Sequence, residues 1–516
     1  MLASTPCRKF QPKRATLDFG PSRVRGTAAL LPAICALALM ASCRVSGDDI
    51  ETWKGTVKGP GKMVAVLMAD KYELPLRVSA GRALVEMERS DVDGVAELQR
   101  ALQRLEAKPR ADIVDGMAPG LIELMQAGDK GASSDPNQGP PPQQIRAKDA
   151  AFALIAHAGP ESRKALTEGV VGWYTADFNG RSLSGAYSAE QVVRALGSPA
   201  AALLVDALDA KMPQQALVKL AQLVGQLGEA GAKAAAGKKL VAIEQTQRGP
   251  EFVKWLQAEI NEQLSEGGKK PDPARVAKAA VLNRDKFIDE GTLPAMKHLA
   301  SQAEVADRLL AIASDPSPAL AGRRTRALQA MEGAARQEHL PQLLALALDT
   351  KAPPSVRDYA FDRVGDIGSP KAVDPMWPVV ADAGEQRLRW RAGELVLALG
   401  GASVVEKFFE TLPSGGKYEP EELEGYATRM GQMAPLPTAI VTAQLGSDDW
   451  WDRVIALHYL ARKGSAADVP RMSRLQEDSK KPEGKGWQPA ETVGTVAKGA
   501  IAGLRERLGH GKAEKK

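Results

Sequence analysis

Cysteine is almost absent from this chain of 516 residues, which contains three: Cys7, Cys35 and Cys43. Cys7 and Cys35 lie in a basic and then apolar N-terminal segment, which is typical of an export signal that is removed from the mature chain. After its removal Cys43 is the single remaining cysteine, and no internal disulfide can form. A fold stabilised by disulfides is therefore excluded for the mature chain.

Aromatic side chains and long apolar runs are also scarce. Phe, Trp and Tyr make up 5% of the chain, and Ala, Leu and Val dominate its apolar residues. This composition favours helices that pack through small side chains over a β-sandwich, whose strands need more Thr, Tyr and Phe. The apolar run from Thr27 to Ala41 covers about 15 residues, fewer than the roughly 20 that a membrane-spanning helix needs. We therefore expect no transmembrane anchor.

Excess charge is absent once residues 1–42 are set aside. That segment holds six bases and one acid, so the totals of 68 Lys and Arg and 63 Asp and Glu both become 62. A neutral chain lacks the basic surface that a nucleic-acid partner requires. We expect no nucleic-acid partner.

Motifs for catalysis and metal binding are missing as well. The five histidines are isolated, and the chain has no His-Glu-x-x-His, no Gly-x-Ser-x-Gly turn and no Gly-x-x-x-x-Gly-Lys-Ser loop. Acidic pairs such as Asp448-Asp449 stand beside predicted helix starts, where acids oppose the helix dipole. The sequence predicts no enzyme, no metal and no cofactor.

The residues Leu39-Met40-Ala41-Ser42-Cys43 end the apolar run, and they resemble the lipobox of bacterial lipoproteins. The resemblance implies cleavage between Ser42 and Cys43 and acylation of Cys43, which would bind the chain to a lipid bilayer. Arg44 is not the aspartate that the lipoprotein sorting rule associates with inner-membrane retention, which implies the outer membrane. The predicted location is the bacterial cell envelope. A cleaved secretory signal without lipid is the alternative.

A helical template recurs about every 34 residues. It has a basic residue, a small residue three positions later, a large aliphatic residue at seven and Gly or Ala at eleven. Its copies begin at Lys148, Arg324, Arg357, Arg389 and Arg453, and looser copies begin at Arg77 and Leu217. The slots expected near residues 112, 182, 253, 288 and 421 fit poorly.

The four template positions lie on one face of a helix, because each residue turns the chain by about 100°. We expect this face to pack inward and a left-handed glycine to end the helix at position eleven. The segments Ser369–Val373 and Ala402–Val405 then read as turns into a second helix. Each unit is therefore predicted to be a helix pair.

This template resembles that of HEAT repeats, including the HEAT-like units of bacterial scaffold proteins and phycobilin lyases. The resemblance implies an all-α fold, an α-α superhelix of stacked antiparallel helix pairs, with a protein partner on its concave face. In that family an acid precedes the arginine helix, and here Asp70, Asp315, Asp349 and Asp382 precede arginines by seven or eight residues. We expect these carboxylates to cap helix starts and to bind the arginines. Solvated surface charge is the alternative.

Breaks in composition suggest the organisation of the chain. Segments rich in Gly, Pro and polar residues predict exposed linkers, and the second of them could divide the repeats into two blocks. The predicted segments are a signal peptide at 1–42, a tether at 43–61, helical repeats at 62–127, a linker at 128–144, HEAT-like repeats at 145–265, a linker at 266–273, HEAT-like repeats at 274–475, and a C-terminal helix with a charged tail at 476–516.

Two clusters of Trp and Arg are candidates for partner binding, because these residue types are enriched at interaction hot spots. Trp450 and Trp451 are adjacent at a predicted helix start, so we expect that both cannot enter one seam. Trp390 stands between Arg387 and Arg391. The alternative is core packing of one indole of the pair, and ion pairs of the arginines with Glu385 and Glu394.

These features favour a non-enzymatic scaffold or adaptor that is anchored at the cell envelope and binds another protein. An enzyme that resembles the HEAT-like bilin lyases, with a site built from scattered side chains, is the alternative. Nucleic-acid binding, as in some HEAT-like glycosylases, is disfavoured by neutrality and export.

Overall fold

A computed structural model of the protein describes residues 45–87, 91–127, 139–265 and 272–510. Helices connected by turns make up this part of the chain, and no strand occurs among the described residues. The predicted class, all-α with helices stacked in pairs, is confirmed. Ser42 and Cys43 lie outside the described residues, and the lipobox stays a prediction. None of the described helices combines the length and apolarity needed to cross a bilayer.

The chain divides into two compact units, Met1–Pro109 and Arg110–Lys516. The described helices of the first unit are α1 (Gly47–Trp53), α2 (Gly59–Met68), α3 (Leu74–Glu86) and α4 (Gly94–Gln103). Helix α1 lies inside the predicted tether. It forms there because Ser46 and Asp49 make a capping box at its start, and because the buried Ile50 gives it an apolar side that packs on α2 and α3. The segment predicted to be a tether therefore contains a packed helix.

The remaining helices follow in chain order, and they are connected mostly by short turns. They are α5 (Ala107–Gln126), α6 (Pro142–Leu154), α7 (Pro160–Ala176), α8 (Phe178–Arg181), α9 (Ala189–Leu196), α10 (Ser198–Ala207), α11 (Gln214–Leu227), α12 (Ala230–Arg248), α13 (Pro250–Ser265), α14 (Pro273–Lys286), α15 (Leu293–Lys297), α16 (Ala303–Ala313), α17 (Ala321–Ala330), α18 (Leu340–Leu348), α19 (Pro354–Ile367), α20 (Val373–Val380), α21 (Gln386–Gly400), α22 (Val405–Thr411), α23 (Pro420–Met430), α24 (Thr438–Ala443), α25 (Trp450–Lys463), α26 (Val469–Ser473) and α27 (Val493–His510). A π-helical turn, Phe287–Thr292, connects α14 to α15.

The template positions pack as expected. The small residue at position three is fully buried in the copies that begin at Lys148, Arg324, Arg357, Arg389 and Arg453, and so is the aliphatic residue at seven in all but the first of these, where Ile155 is nearly so. The predicted left-handed glycine occurs at Gly368, whose φ is 66°. At Gly464 the backbone is extended instead, and after α21 the positive φ falls on Gly401 rather than Gly400. The packing face therefore follows the template more closely than the helix ends do.

The C-terminal part of the second unit has two layers of helices. We call α17, α19, α21, α23, α25 and α27 the long layer, and α16, α18, α20, α22, α24 and α26 the short layer. Successive helices of the long layer contact each other more extensively than those of the short layer do. Polar bonds also join neighbouring units: Lys297 and Glu332 form an ion pair of 3.0 Å, and Arg363 donates to the Leu328 carbonyl over 3.1 Å.

One apolar core runs through the second unit from Val171 to Leu504. It includes Ile243 before the linker predicted at 266–273 and Ile288 after it, so the apolar core does not divide into two blocks there. The linker instead lies between α13 and α14, which pack against each other as a hairpin. Residues 266–271 of it lie outside the described residues.

The segment between α26 and α27, residues 474–492, crosses back over the chain before α23, and we call it the strap. The Glu483 carbonyl accepts from the Tyr418 amide over 2.9 Å, and Trp487 Nε1 donates to the Tyr418 carbonyl over 2.8 Å. Gly484 is required at this crossing, because a Cβ there would lie 2.1 Å from the Tyr418 carbonyl oxygen. The strap thus ties the start of the last helix to the segment before α23. Helix α27 lies within the segment predicted to hold the C-terminal helix.

Candidate interaction surface

The arginines of the template act on the backbone. Arg324 Nε donates to the Ala313 carbonyl at the end of α16 over 2.7 Å, and Arg357 Nε donates to the Ala347 carbonyl near the end of α18 over 3.0 Å. Each buried guanidinium thereby satisfies an open carbonyl of the preceding helix, as a C-terminal cap does. The repeat thus uses its arginine to join the two helices of a pair.

The acids expected to bind these arginines behave differently in the two units. In the first unit the prediction is confirmed, because Arg77 and Asp70 form an ion pair of 3.1 Å. In the second unit Asp315, Asp349 and Asp382 accept from backbone amides two residues later, those of Ser317, Lys351 and Gly384, over 3.0, 2.9 and 2.7 Å. These carboxylates close the turns between helices.

Arg389 is the exception among the arginines, because it is fully buried against a fully buried acid of the next unit. Its Nε and Glu422 Oε1 are 3.1 Å apart, and its second amino group donates to the Lys417 carbonyl over 2.6 Å. The guanidinium also lies over the Tyr418 ring at 4.4 Å, and Tyr426 Oη donates to Glu422 over 2.9 Å. Burial raises the pKa of Glu422, and the Arg389 charge opposes that shift. This network fixes α21 against α23.

The cluster predicted on α21 lies on the long layer. Arg387 is 79% exposed and pairs with Asp358 of α19 over 2.9 Å, and Arg391 forms an ion pair with Asp362 of α19. The acids are therefore those of the preceding unit and not Glu385 and Glu394. Trp390 faces the next unit, where a Cβ on Gly425 of α23 would lie 3.1 Å from its indole nitrogen.

The pair Trp450 and Trp451 is buried, with 3% and 4% of each residue exposed. The Trp451 ring stacks on Tyr418 at 5.1 Å, and the Trp450 ring meets Trp487 edge to face at 5.9 Å. Both indoles are accommodated because the first turn of α25 lies between the segment before α23 and the strap, which contribute those two partners. Both indoles are buried, although the sequence led us to expect that they could not both enter one seam. Indoles buried in this way have little surface to offer a partner.

An open groove runs across α23, α25 and α27, and we call it the C-terminal groove. It has a volume of about 840 Å³, and its lining includes five small residues, which we call its floor: Gly431, Ala461, Gly499, Ala500 and Gly503. Charged residues form its rim: Glu424, Arg462, Lys463, Glu491 and Arg507. A Cβ added at Gly499 or Gly503 would have no neighbour within 4 Å, so the space above the floor is unfilled.

The electrostatics of the C-terminal groove combine a neutral floor with a paired rim. Burial lowers the pKa of His458, which lines the groove, so its imidazole is neutral at pH 7. On the rim Arg462 forms an ion pair with Glu424, and Arg507 Nε donates to the Ala461 carbonyl over 3.3 Å. Such a groove can receive an apolar segment with charges on its flanks.

A second opening, the charged trough, lies between α15, α17 and α19 and has a volume of about 600 Å³. Arg326 and Asp289 approach to 3.5 Å at its wall, and Lys297 pairs with Glu332. Its charges are thus largely matched internally. Neither opening was foreseen from the sequence, although the small residues of α27 recur at positions 499, 500 and 503, which lie close together on one helical face.

Lys148 is the buried group that most resembles a catalytic amine. Its Nζ lies between the rings of Trp173 and Tyr174, at 5.5 and 5.1 Å from their centres, and burial lowers its pKa. The ammonium donates to Asp149 over 2.6 Å and to the carbonyls of Ser184 and Tyr187 over 2.8 and 3.0 Å. All three donors are therefore used in holding the segment between α8 and α9. This geometry supports a structural role and gives no support to the lyase-like alternative.

No group of three or more His, Cys, Asp or Glu side chains in the described part of the chain is arranged to hold a metal ion.

No family model and no curated protein matches the chain. Among solved structures it is similar to the karyopherin Kap121p bound to the SUMO protease Ulp1p, with 12% identity and a TM-score of 0.29 over 92% of this chain and 46% of that one. For a Kap121p complex with the extreme C-terminus of the protein phosphatase Cdc14p, the identity is 14% and the TM-score is 0.28, over 92% of this chain and 47% of that one. For an engineered protein, the identity is 15% and the TM-score is 0.16, over 86% of this chain and 98% of that one. The chain spans about half the length of the karyopherins, and likenesses with TM-scores below 0.5 carry no functional argument.

Proposed function

We propose that this protein is a non-enzymatic scaffold of the bacterial cell envelope, anchored by a lipid on Cys43, and that it binds a segment of a partner protein in the C-terminal groove. The observation that supports the binding role is the unfilled floor of the groove, shared by three consecutive helices of the long layer. Glycine and alanine on a helix face let another backbone approach closely, and the charged rim can orient it.

The occupant that this groove fits is a helix or an extended segment with an apolar face and charged flanks. Three helices of consecutive units supply its walls, so the binding geometry depends on the stacking of the array. The cluster of Arg387, Trp390 and Arg391 is a secondary candidate, because Arg387 is exposed on the same layer. Binding of the partner on the concave face, which the HEAT resemblance implies, is part of this proposal.

The binding role is tested by filling the groove. In the variant Gly499→Leu/Gly503→Leu, each new side chain occupies the space above the floor, and helix propensity at these exposed positions improves by about 1 kcal/mol per site. We expect affinity capture from solubilised envelopes to lose the partner that the wild-type protein retains, with no loss of thermal stability. The control is Ala502→Leu, which places the same side chain on an exposed position of α27 outside the groove. Equal capture by all three proteins would contradict the proposal.

The lipid anchor is tested separately by metabolic labelling with a palmitate analogue. We expect the wild-type protein to be labelled and to stay with membranes at high salt. Cys43→Ala should be unlabelled and released by high salt, since the thiol carries the acyl group. A wild-type protein that is soluble and unlabelled would disprove the lipid anchor and would not affect the proposal that the C-terminal groove binds a partner.

A further inference from the structure

The hairpin of α13 and α14 has its own small apolar cluster, separate from the main core. Phe252, Leu256 and Ala280 form its buried part. The ring of Phe252 meets Phe287 at 5.3 Å and Trp255 at 5.1 Å. The two helices therefore pack mainly against each other, and the face of α14 opposite this cluster is turned to solvent.

Exposed apolar side chains are concentrated on this hairpin. Leu264, Val281 and Leu282 are 52%, 40% and 55% exposed, and they are three of the seven large apolar residues exposed in the described part of the chain. Val281 and Leu282 are adjacent on α14, and Leu264 stands at the end of α13, where the hairpin turns. Such a group on two helices marks a contact surface more than scattered single residues would.

Basic side chains surround Leu282 on the outer face of α14. Arg275, Lys278, Leu282 and Lys286 are spaced by three and four residues and lie on one side of the helix. Arg275, Lys278 and Lys286 are exposed, and they form no ion pair with any described residue. The helix has four bases and one acid, Asp285, which pairs with Arg284 and Arg323.

Acids stand at both ends of this face, and Glu290 in the π-helical turn follows Lys286 by four residues. Asp272 caps the start of α14 by accepting from the Ala274 amide over 3.1 Å. Glu251, Glu259 and Glu262 belong to α13, and the residues that α14 buries, Val276 and Ala280, lie outside the row of Arg275, Lys278, Leu282 and Lys286. The outer face of α14 is therefore basic with an apolar centre, which is the pattern of a helix that lies in the headgroup region of a membrane.

We propose that the outer face of α14 is a second membrane contact, which binds anionic lipid headgroups through Arg275, Lys278 and Lys286 and inserts Leu282 between them. This inference rests on the proposed envelope location. Its physical reason is that each cation near an anionic membrane surface contributes roughly 1 kcal/mol of attraction. We expect the surface to prefer anionic lipid, because its three cations form no ion pair with any residue in the described part of the chain.

The test uses the full mature chain with Cys43→Ala, so that no acyl chain contributes, and vesicles of phosphatidylethanolamine with or without about one third phosphatidylglycerol. We expect co-sedimentation with the anionic vesicles only, and its release by 0.5 M NaCl, as the roughly 4 Å screening length at that concentration requires. Arg275→Gln/Lys278→Gln/Lys286→Gln should weaken partitioning about a hundredfold, since each surface cation contributes roughly tenfold or less. Leu282→Ser should weaken it about tenfold.

The matched control is Arg471→Gln/Lys498→Gln/Arg505→Gln, which removes the same charge from exposed positions outside the hairpin. It should change partitioning by no more than about twofold, since these residues lie off the surface. Equal binding by the two triple variants, or equal binding to uncharged vesicles, would overturn the proposal. So would the absence of vesicle binding together with capture of an acidic protein that the α14 variant loses. Because the acyl chain is absent throughout, these outcomes are independent of whether Cys43 is lipidated.

Discussion

The buried cations Lys148 and Arg389 occupy the same template position in two regions of the second unit. Both are fully buried, and both reach about one unit forward along the chain. Lys148 binds backbone carbonyls of the segment between α8 and α9, whereas Arg389 binds a buried carboxylate on α23. The first arrangement pins an irregular segment and the second fixes two helices. One template position thus serves different kinds of attachment, according to what the next unit offers.

The largest effect should follow from removing Arg389. Arg389→Met leaves Glu422 buried without its cation, and we expect the free energy of unfolding to fall by about 4 kcal/mol, the usual range for breaking a buried pair. Chemical denaturation followed by tryptophan fluorescence measures this loss. The double variant Arg389→Met/Glu422→Leu should recover at least half of it, because an apolar pair of similar volume carries no desolvation cost. A double variant as unstable as the single one would show that the ion pair does not couple the units.

Removing Lys148 should have a smaller and more local effect. Lys148→Met removes the donor to Asp149 Oδ1 and to the Ser184 carbonyl, and one of the two donors to the Tyr187 carbonyl. We expect a loss of about 3 kcal/mol. Amide hydrogen exchange should speed up most in residues 182–188, including Ala186, whose amide donates to Asp149 over 2.9 Å. The control Lys164→Met removes an exposed lysine on α7 and should cost less than about 0.5 kcal/mol. Uniform acceleration across the unit would make Lys148 a general core residue instead.

The smallest effect concerns a buried charge that lacks a close cation. Burial raises the pKa of Asp452 from 3.8 to about 7, although Ser447 donates to it over 2.9 Å. Because the folded-state pKa is the higher one, this group costs stability as pH rises from about 4 to 7, and the cost is constant above that. Asp452→Asn should therefore match the wild type at pH 4 and exceed it by about 2 kcal/mol at pH 8. This is about half of what the full shift of the pKa corresponds to, because water still screens part of this carboxylate. Fluorescence of the nearby Trp450 and Trp451 during denaturation reports the difference. A gain of equal size at both pH values would contradict the shifted pKa.

The parts of the fold that the sequence predicts are those set by helical periodicity. The template starting at Arg324, Arg357 and Arg389 identifies the buried faces and the turns into the second helices. The poor slot near residue 421 has a physical explanation, because α23 carries Glu422 as the acceptor for Arg389 and has no need of its own arginine. A search for repeated residue types misses a unit that supplies the complementary charge.

Contacts between segments that are distant in the chain could not be predicted from the sequence. The strap reaches Tyr418 across 69 residues from Trp487, and this contact encloses the paired indoles of α25. The C-terminal groove likewise requires three units in register before its floor exists. The lipobox remains a prediction from residues 39–43, and the α14 surface emerges only once the exposure of Leu282 is known.

Arrays in which each unit touches only its neighbours ordinarily peel from their ends under load. The Tyr418 contacts with Glu483 and Trp487 change this at the C-terminus, because a chain pulled from α27 meets a clasp that is closed two units further in. We expect the last units to yield together as one mechanical block instead of unwinding helix by helix. If the chain is anchored to a bilayer through Cys43 and bound to a partner through the C-terminal groove, a force on the partner acts first on the last units. The contacts of Tyr418 with Glu483 and Trp487 would then resist that force.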